Sequence, residues 1–218
     1  VFGADTDASP YDSGSYASST TYITGKAVEK ACADLKNRIR AIASQMLGCA
    51  PGDTVFEGHQ VRREGSDEAV SLGDIAYKTQ VGNTLAAEST ATHSSPISPP
   101  PFMVGMVEIE LDRLTGLVTV LDYAAVVDCG IPINPALARI QTEGGIVQGI
   151  GHTLMENVTY DRNGRPAQSS FLQYKLPTRL DMGSLHVEFE ESYEPTGPFG
   201  AKSIGEIVIN TPAPALAH

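Results

Sequence analysis

Residues 102–156 read FMVGMVEIELDRLTGLVTVLDYAAVVDCGIPINPALARIQTEGGIVQGIGHTLME, and two signals inside this stretch set the fold class. The runs 102–111 and 117–127 are apolar and rich in β-branched residues, and Asp112-Arg113-Leu114-Thr115-Gly116 joins them, so they predict a β-hairpin. Ile131-Pro132-Ile133-Asn134-Pro135 then introduces a helix: Asn134 can cap it, and Pro135 suits its first position, where no N–H is needed. That helix should run from about 135 to 156. Gly144, Gly145, Gly149 and Gly151 lie within it, each costing roughly 1 kcal/mol relative to Ala. Such a concentration predicts close approach of another backbone or of a ligand.

Upstream, Ala27, Ala31, Leu35, Ile39, Ile42 and Met46 fall on one stripe at helical spacing, and Gly48 with Pro51 ends that helix. Residues 54–57 and 59–62 read as short strands, and 71–78 as a short helix with Ser71 as its cap. Residues 89–101, STATHSSPISPPP, predict an extended connector, since successive prolines favour polyproline geometry. Downstream, residues 161–164 form a turn, 185–190 alternate as a half-buried strand should, and 197–206 is a glycine-rich loop. Residues 210–218 open a further helix. Hairpins mixed with isolated helices give an α+β fold with mixed sheets and a few helices. The 218 residues suit one unit, 1–218, divisible into subdomains of about 1–100 and 101–218. A start without Met and a final helix cut short predict a piece of a larger protein.

A net charge of -11, from 15 basic and 26 acidic residues, argues against a nucleic-acid partner, which needs clustered Lys and Arg. There is no apolar run of the length a membrane span needs. Cys32, Cys49 and Cys129 are odd in number and form no CxxC pair, which removes the common zinc and iron–sulfur cradles. Three thiols of this kind suit a reducing compartment, and the expected location is cytoplasmic.

Three segments gather small residues near polar ones: 12–25, 143–151 and 197–206. The loop Gly14-Ser15-Tyr16-Ala17-Ser18-Ser19-Thr20 precedes a helix, where free N–H groups and the helix dipole favour an anion. Composition alone leaves open whether it holds one or only caps its helix. Gln148, an amide among glycines and aliphatic residues, needs partners if its helix is buried; a helix-packing bond would satisfy it. Glu206, between Gly205 and Ile207, would become a base poised near neutral pH if buried; most such residues are merely solvated. His152 and Glu156, one turn apart, read as a surface or core pair. Neither a P-loop, nor a Rossmann fingerprint, nor HExxH, nor GxSxG is present.

Taken together, DTDASPYDSGSYASSTTYITGKAV (5–28), DCGIPINPALARIQTEGGIVQGIGHTLMENVTYDRNG (128–164), SFLQYKLPT (170–178) and GAKSIGE (200–206) resemble the C-terminal, molybdenum-cofactor-binding part of the large subunit of xanthine dehydrogenase and related molybdenum hydroxylases. The resemblance implies that Ala17, Ser18 and Thr20 hold the pterin and its phosphate through backbone N–H and hydroxyl groups. It implies that Gln148 hydrogen-bonds the pterin beside the metal, its neighbouring glycines letting the helix come close. Glu206, with Gly205 before it, falls on the family's catalytic glutamate, which removes a proton so that a water-derived oxygen can attack an electron-poor carbon. The implied substrates are an N-heterocycle such as a purine, or an aldehyde. The implied cofactor is the molybdenum-pterin group, in plain or cytosine-dinucleotide form, with the metal held by the pterin itself. Iron–sulfur and FAD modules and the upstream part of the large subunit would lie elsewhere. This chain alone would then be inactive, and a non-catalytic pterin-binding or assembly domain of the same fold is the alternative. Ile207 departs from the Pro that many relatives carry there.

Overall fold

The computed structural model describes every residue except 1–4, 6, 8, 10, 13 and 83–86, so positions 6, 8, 10 and 13 of the stretch 5–28 lie outside the described residues. Contacts divide the chain into two units, Thr24–Ser94 and a discontinuous one made of Val1–Ile23 with Ser95–His218. The sequence suggests subdomains of about 1–100 and 101–218; the contact division is discontinuous. The N-terminal segment, by contrast, belongs with the C-terminal half. Buried Tyr22 shows why, since its hydroxyl is 2.7 Å from Thr196 Oγ1 and 3.3 Å from Ser95 Oγ.

The smaller unit begins with α1 (Gly25–Leu47), which ends at Gly48 in the left-handed conformation, φ 63°. Strands β1 (Thr54–Glu57), β2 (Gln60–Arg63) and β3 (Ala69–Ser71) form an antiparallel sheet in that order. Helix α2 (Leu72–Val81) follows, and Ser71 Oγ caps it by accepting from the Asp74 N–H at 3.0 Å. The α1 stripe packs as its spacing predicts. Ile39, Ile42 and Met46 lie against a core of Ala43, Val61 and Ile75.

In the larger unit, β4 (Phe102–Leu111) and β5 (Val118–Asp128) make the expected hairpin, from Phe102 opposite Asp128 to Leu111 opposite Val118, with a bulge that shifts the register between Glu108 and Ile109. Asp112 Oδ1 accepts from the Leu114 N–H at 2.9 Å and closes the connection. α3 (Pro135–Leu154) starts where Asn134 Oδ1 accepts from the Leu137 N–H at 3.2 Å. It carries the chain back along the sheet, so β6 (Ser184–Phe189) pairs with β5 in parallel and the sheet is mixed. Val120, Tyr123, Ala125 and Val187 of the sheet meet Ile146 and Ile150 of α3 in the main core.

Two short helices, α4 (Ile207–Asn210) and α5 (Pro212–Ala217), pack on α3 and β4. Thr211 precedes Pro212 as the helix-entry pattern requires, but its hydroxyl is 2.9 Å from the Tyr123 hydroxyl and gives no cap bond. A buried phenol must be hydrogen-bonded, and here that demand outweighs the cap. Burial also pushes the Tyr123 pKa up. Among the described residues, no helix is long and apolar enough to cross a membrane.

Candidate functional site

Tyr16–Ser18 is a tight turn interrupted by left-handed backbone at Ala17, φ 52°, and continued by Ser18, φ 54°. For residues with a Cβ this conformation costs about 1–2 kcal/mol each, and it persists only where the surroundings fix it. The loop turns Ser15, Ser18 and Thr20 toward a cavity of about 510 Å³. Ser15 Oγ and Thr20 Oγ1 are 2.7 Å apart and brace each other. The first turns of α3 supply the opposite wall through Asn134, Leu137 and Gln141. Cys129, Ala201 and Lys202 also line the cavity, together with Gly205.

Lys202 is the one charged group lining this cavity among the described residues. It is only 8% exposed, and its ammonium lies 2.6 Å from Asp128 Oδ2 and donates to the Pro100 carbonyl at 3.2 Å. Burial alone would raise the Asp128 pKa. Hydrogen bonds from Lys202, Ser192 and the Gly130 N–H outweigh it and hold the carboxyl below its ordinary value. Beside it, burial and then the Asp128 charge push the Cys129 thiol up. The cavity therefore offers hydroxyls, side-chain amides and a helix N-terminus, next to an apolar wall of Ile131 and Ile133. That donor set suits a polar, anionic group. The absence of any lining carboxylate among the described residues agrees with an anion there; a pterin carrying phosphate is what the family resemblance implies.

Of the residues singled out by sequence, Ser18, Thr20 and Gly205 line the cavity. Ala17 supplies the left-handed turn beside them and is exposed. Glu206 follows Gly205, is exposed, and accepts a hydrogen bond from Ser18 Oγ at 3.2 Å. The burial expected of a base is thus not supplied by this chain.

Gln148 stands apart from these residues. It is exposed and lies outside the cavity lining, whereas Gln141 is in it. The two amides share a helix face, seven positions and about 10 Å apart. Only the one nearer the α3 N-terminus reaches the cavity. The sequence signal that could have found Gln141 is its distance from the Asn134-Pro135 entry.

The glycines of the segment 143–151 admit close neighbours, as their concentration predicts. A Cβ at Gly145 would overlap Val208, one at Gly149 would lie 2.7 Å from Pro212 Cγ, and one at Gly151 would lie 2.8 Å from Pro177 Cδ. These glycines admit α4, α5 and Pro177. His152 and Glu156 do pair, at 3.5 Å, and Glu156 also accepts from the Tyr174 hydroxyl, which raises the Tyr174 pKa. Neither residue lines the cavity.

Comparison with known proteins gives the family. A family model described as the molybdopterin cofactor-binding domain matches residues 1–183. The chain is 35% identical to the probable hypoxanthine oxidase XdhD of Escherichia coli K12, over 100% of this chain and 23% of that protein. It is 34% identical to the 6-hydroxypseudooxynicotine dehydrogenase complex subunit gamma of Paenarthrobacter nicotinovorans, over 100% of this chain and 28% of the relative. The crystal structure of quinoline 2-oxidoreductase from Pseudomonas putida 86 superposes with a TM-score of 0.80 at 28% identity, covering 96% of this chain and 28% of that one. The chain thus spans about a quarter of the length of these relatives. With one family model running through most of its length and relatives above 30% identity along all of it, the chain belongs to the molybdopterin cofactor-binding domain family.

Proposed function

We propose that this chain forms one wall of the molybdopterin site of a molybdenum hydroxylase that oxidises an N-heterocycle or an aldehyde, with water as the oxygen source. The observation that carries the reading is the meeting of Ser18, Thr20 and Gly205 at one cavity with the Glu206 carboxylate directly beside it. The names of the relatives, with hypoxanthine, a nicotine derivative and quinoline among them, favour an N-heterocycle over an aldehyde.

When bound, the cofactor supplies a metal centre able to accept two electrons from the substrate. The left-handed Ala17–Ser18 backbone and the Thr20 hydroxyl bind it, and the α3 N-terminus with Gln141 orients its polar edge. The apolar residues Ile131 and Ile133 keep water from that side. Glu206 is the base. Its Oε2 accepts from Ser18, so the proton is taken at Oε1. The rest of the large subunit completes the cavity and buries the carboxylate, and iron–sulfur and flavin modules on other parts of the assembly carry the electrons away. The pterin is in plain or cytosine-dinucleotide form. Cys32, Cys49 and Cys129 are unpaired thiols, in keeping with a cytoplasmic enzyme.

Glu206→Gln in the complete assembly tests the reading, because it keeps the side-chain shape and the Ser18 contact and removes only the base. Turnover should fall by about 10²–10⁴-fold, the scale of one positioned general base, with molybdenum content unchanged. Near-normal turnover refutes it.

A further inference from the structure

Ser18 Oγ reaches Glu206 Oε2 at 3.2 Å across a separation of 188 residues, and three features make that contact specific. Ser18 extends from left-handed backbone, φ 54°. Gly205 leaves the path open, since a Cβ there would lie 2.9 Å from Ser18 Oγ. The Glu206 carboxylate makes no side-chain bond to the N–H groups of α4, whose entry backbone at Glu206 is already helical (φ -93°, ψ -31°), so Ser18 is its hydrogen-bond partner among the described residues. A serine hydroxyl has a single hydrogen to donate, and committed to Oε2 it is not available to a phosphate or a pterin.

We infer that Ser18 is a positioning residue. Its hydroxyl anchors Glu206 by Oε2 and leaves Oε1 to take the proton, while the loop's hold on the cofactor comes from its backbone and from Thr20. The inference rests on the reading of Glu206 as the base.

Its test uses the complete assembly, with Ser18→Gly, Gly205→Ala, the double variant and Glu206→Gln compared side by side. Ser18→Gly deletes the hydroxyl and suits the left-handed backbone, so folding is not put at risk. With hypoxanthine and quinoline as probes and a dye as electron acceptor, kcat should fall about 10–100-fold with KM unchanged, as for a slightly misplaced catalytic group. Molybdenum content should stay at the level of the parent protein. Gly205→Ala should lower kcat alike, and the double variant should be no worse than either single, because both break one contact. In the crystal structure of the Ser18→Gly assembly, which needs no substrate, the Glu206 carboxylate should leave its place. An unmoved carboxylate, a normal kcat in a Ser18→Gly protein whose Glu206→Gln counterpart is inactive, or molybdenum lost from Ser18→Gly overturns the positioning role alone. Full turnover by Glu206→Gln overturns the underlying assignment of the base.

Discussion

Helices α1 and α3 are nearly equal in length, 23 and 20 residues, and they present opposite packing surfaces. α1 presents side chains: Ile39, Ile42 and Met46 press on Val61 and Ile75, and exchanging one aliphatic group for another there would repack a little. α3 presents Ile146 and Ile150 to the sheet but missing side chains to α4 and α5. Its buried Gly145 and Gly149 leave hollows that Val208 and Pro212 fill, so neighbouring segments are fixed to within a methyl group. Since α4 begins directly after Glu206, the hollows of α3 help to set where that carboxylate stands. A patterned surface builds a scaffold; a surface defined by absent atoms places a particular residue.

The largest expected effect tests whether the cavity side depends on specific partners. Lys202→Met leaves Asp128 without its ammonium, and breaking a buried pair from one side costs about 3–5 kcal/mol. The folded-state pKa of Asp128 is lowered, so its contribution is present above the ordinary carboxylate value near 4 and is lost as pH falls through the lower folded value. Urea unfolding of the parent chain should therefore weaken on acidification below about pH 4, and Lys202→Met should lose that part of the acid sensitivity. On α1, Asp34→Asn removes an exposed partner of Arg38 and should leave the unfolding midpoint where it was. Equal losses at the two sites would erase the contrast.

A smaller effect reverses sign between the two helices. Gly145→Ala adds one methyl where Val208 already sits, and overpacking of this kind costs about 1–3 kcal/mol. On exposed Ala33 of α1 the opposite change, Ala33→Gly, should cost roughly 1 kcal/mol through helix propensity. Thermal unfolding of both variants decides it, and a stable Gly145→Ala protein would mean that the hollow is not filled.

The same contrast explains what could be read from the chain beforehand. α1, the hairpin and the Asn134 cap were legible because each depends on residues near in sequence: a stripe, two β-branched runs, an Asn-Pro pair. The parallel partner of β5 was not, since β6 carries only an alternation that fits either direction. Within the site, Ser18, Thr20 and Gly205 were singled out through the resemblance to a family, since the composition of the loop 14–20 alone fits an anion site as well as a helix cap. Gln141 lines the cavity and Gln148 does not, a difference that the tertiary position of the α3 N-terminus makes and the sequence does not carry. Lys202 and Asp128 were missed altogether. Their pairing joins the end of β5 to the loop before α4, and neither residue carries a local signal of it.

The smallest effect bears most directly on why α3 is rich in glycine. If glycines were there for a ligand that approaches the helix, Gly144 and Gly145 would be expected to resist substitution together. In the structure they do not share an environment: successive residues are turned about 100° from each other around the helix, and a Cβ at exposed Gly144 meets nothing within 4 Å. Gly144→Ala adds no clash and removes backbone freedom from the unfolded chain, so it should stabilise by about 0.5–1 kcal/mol. Differential scanning calorimetry of this chain would show the rise, beside the fall for Gly145→Ala one residue later. A loss of stability at Gly144 would instead mean that both glycines answer to one contact, and that α3 is shaped along that whole face rather than only where α4 and α5 rest on it.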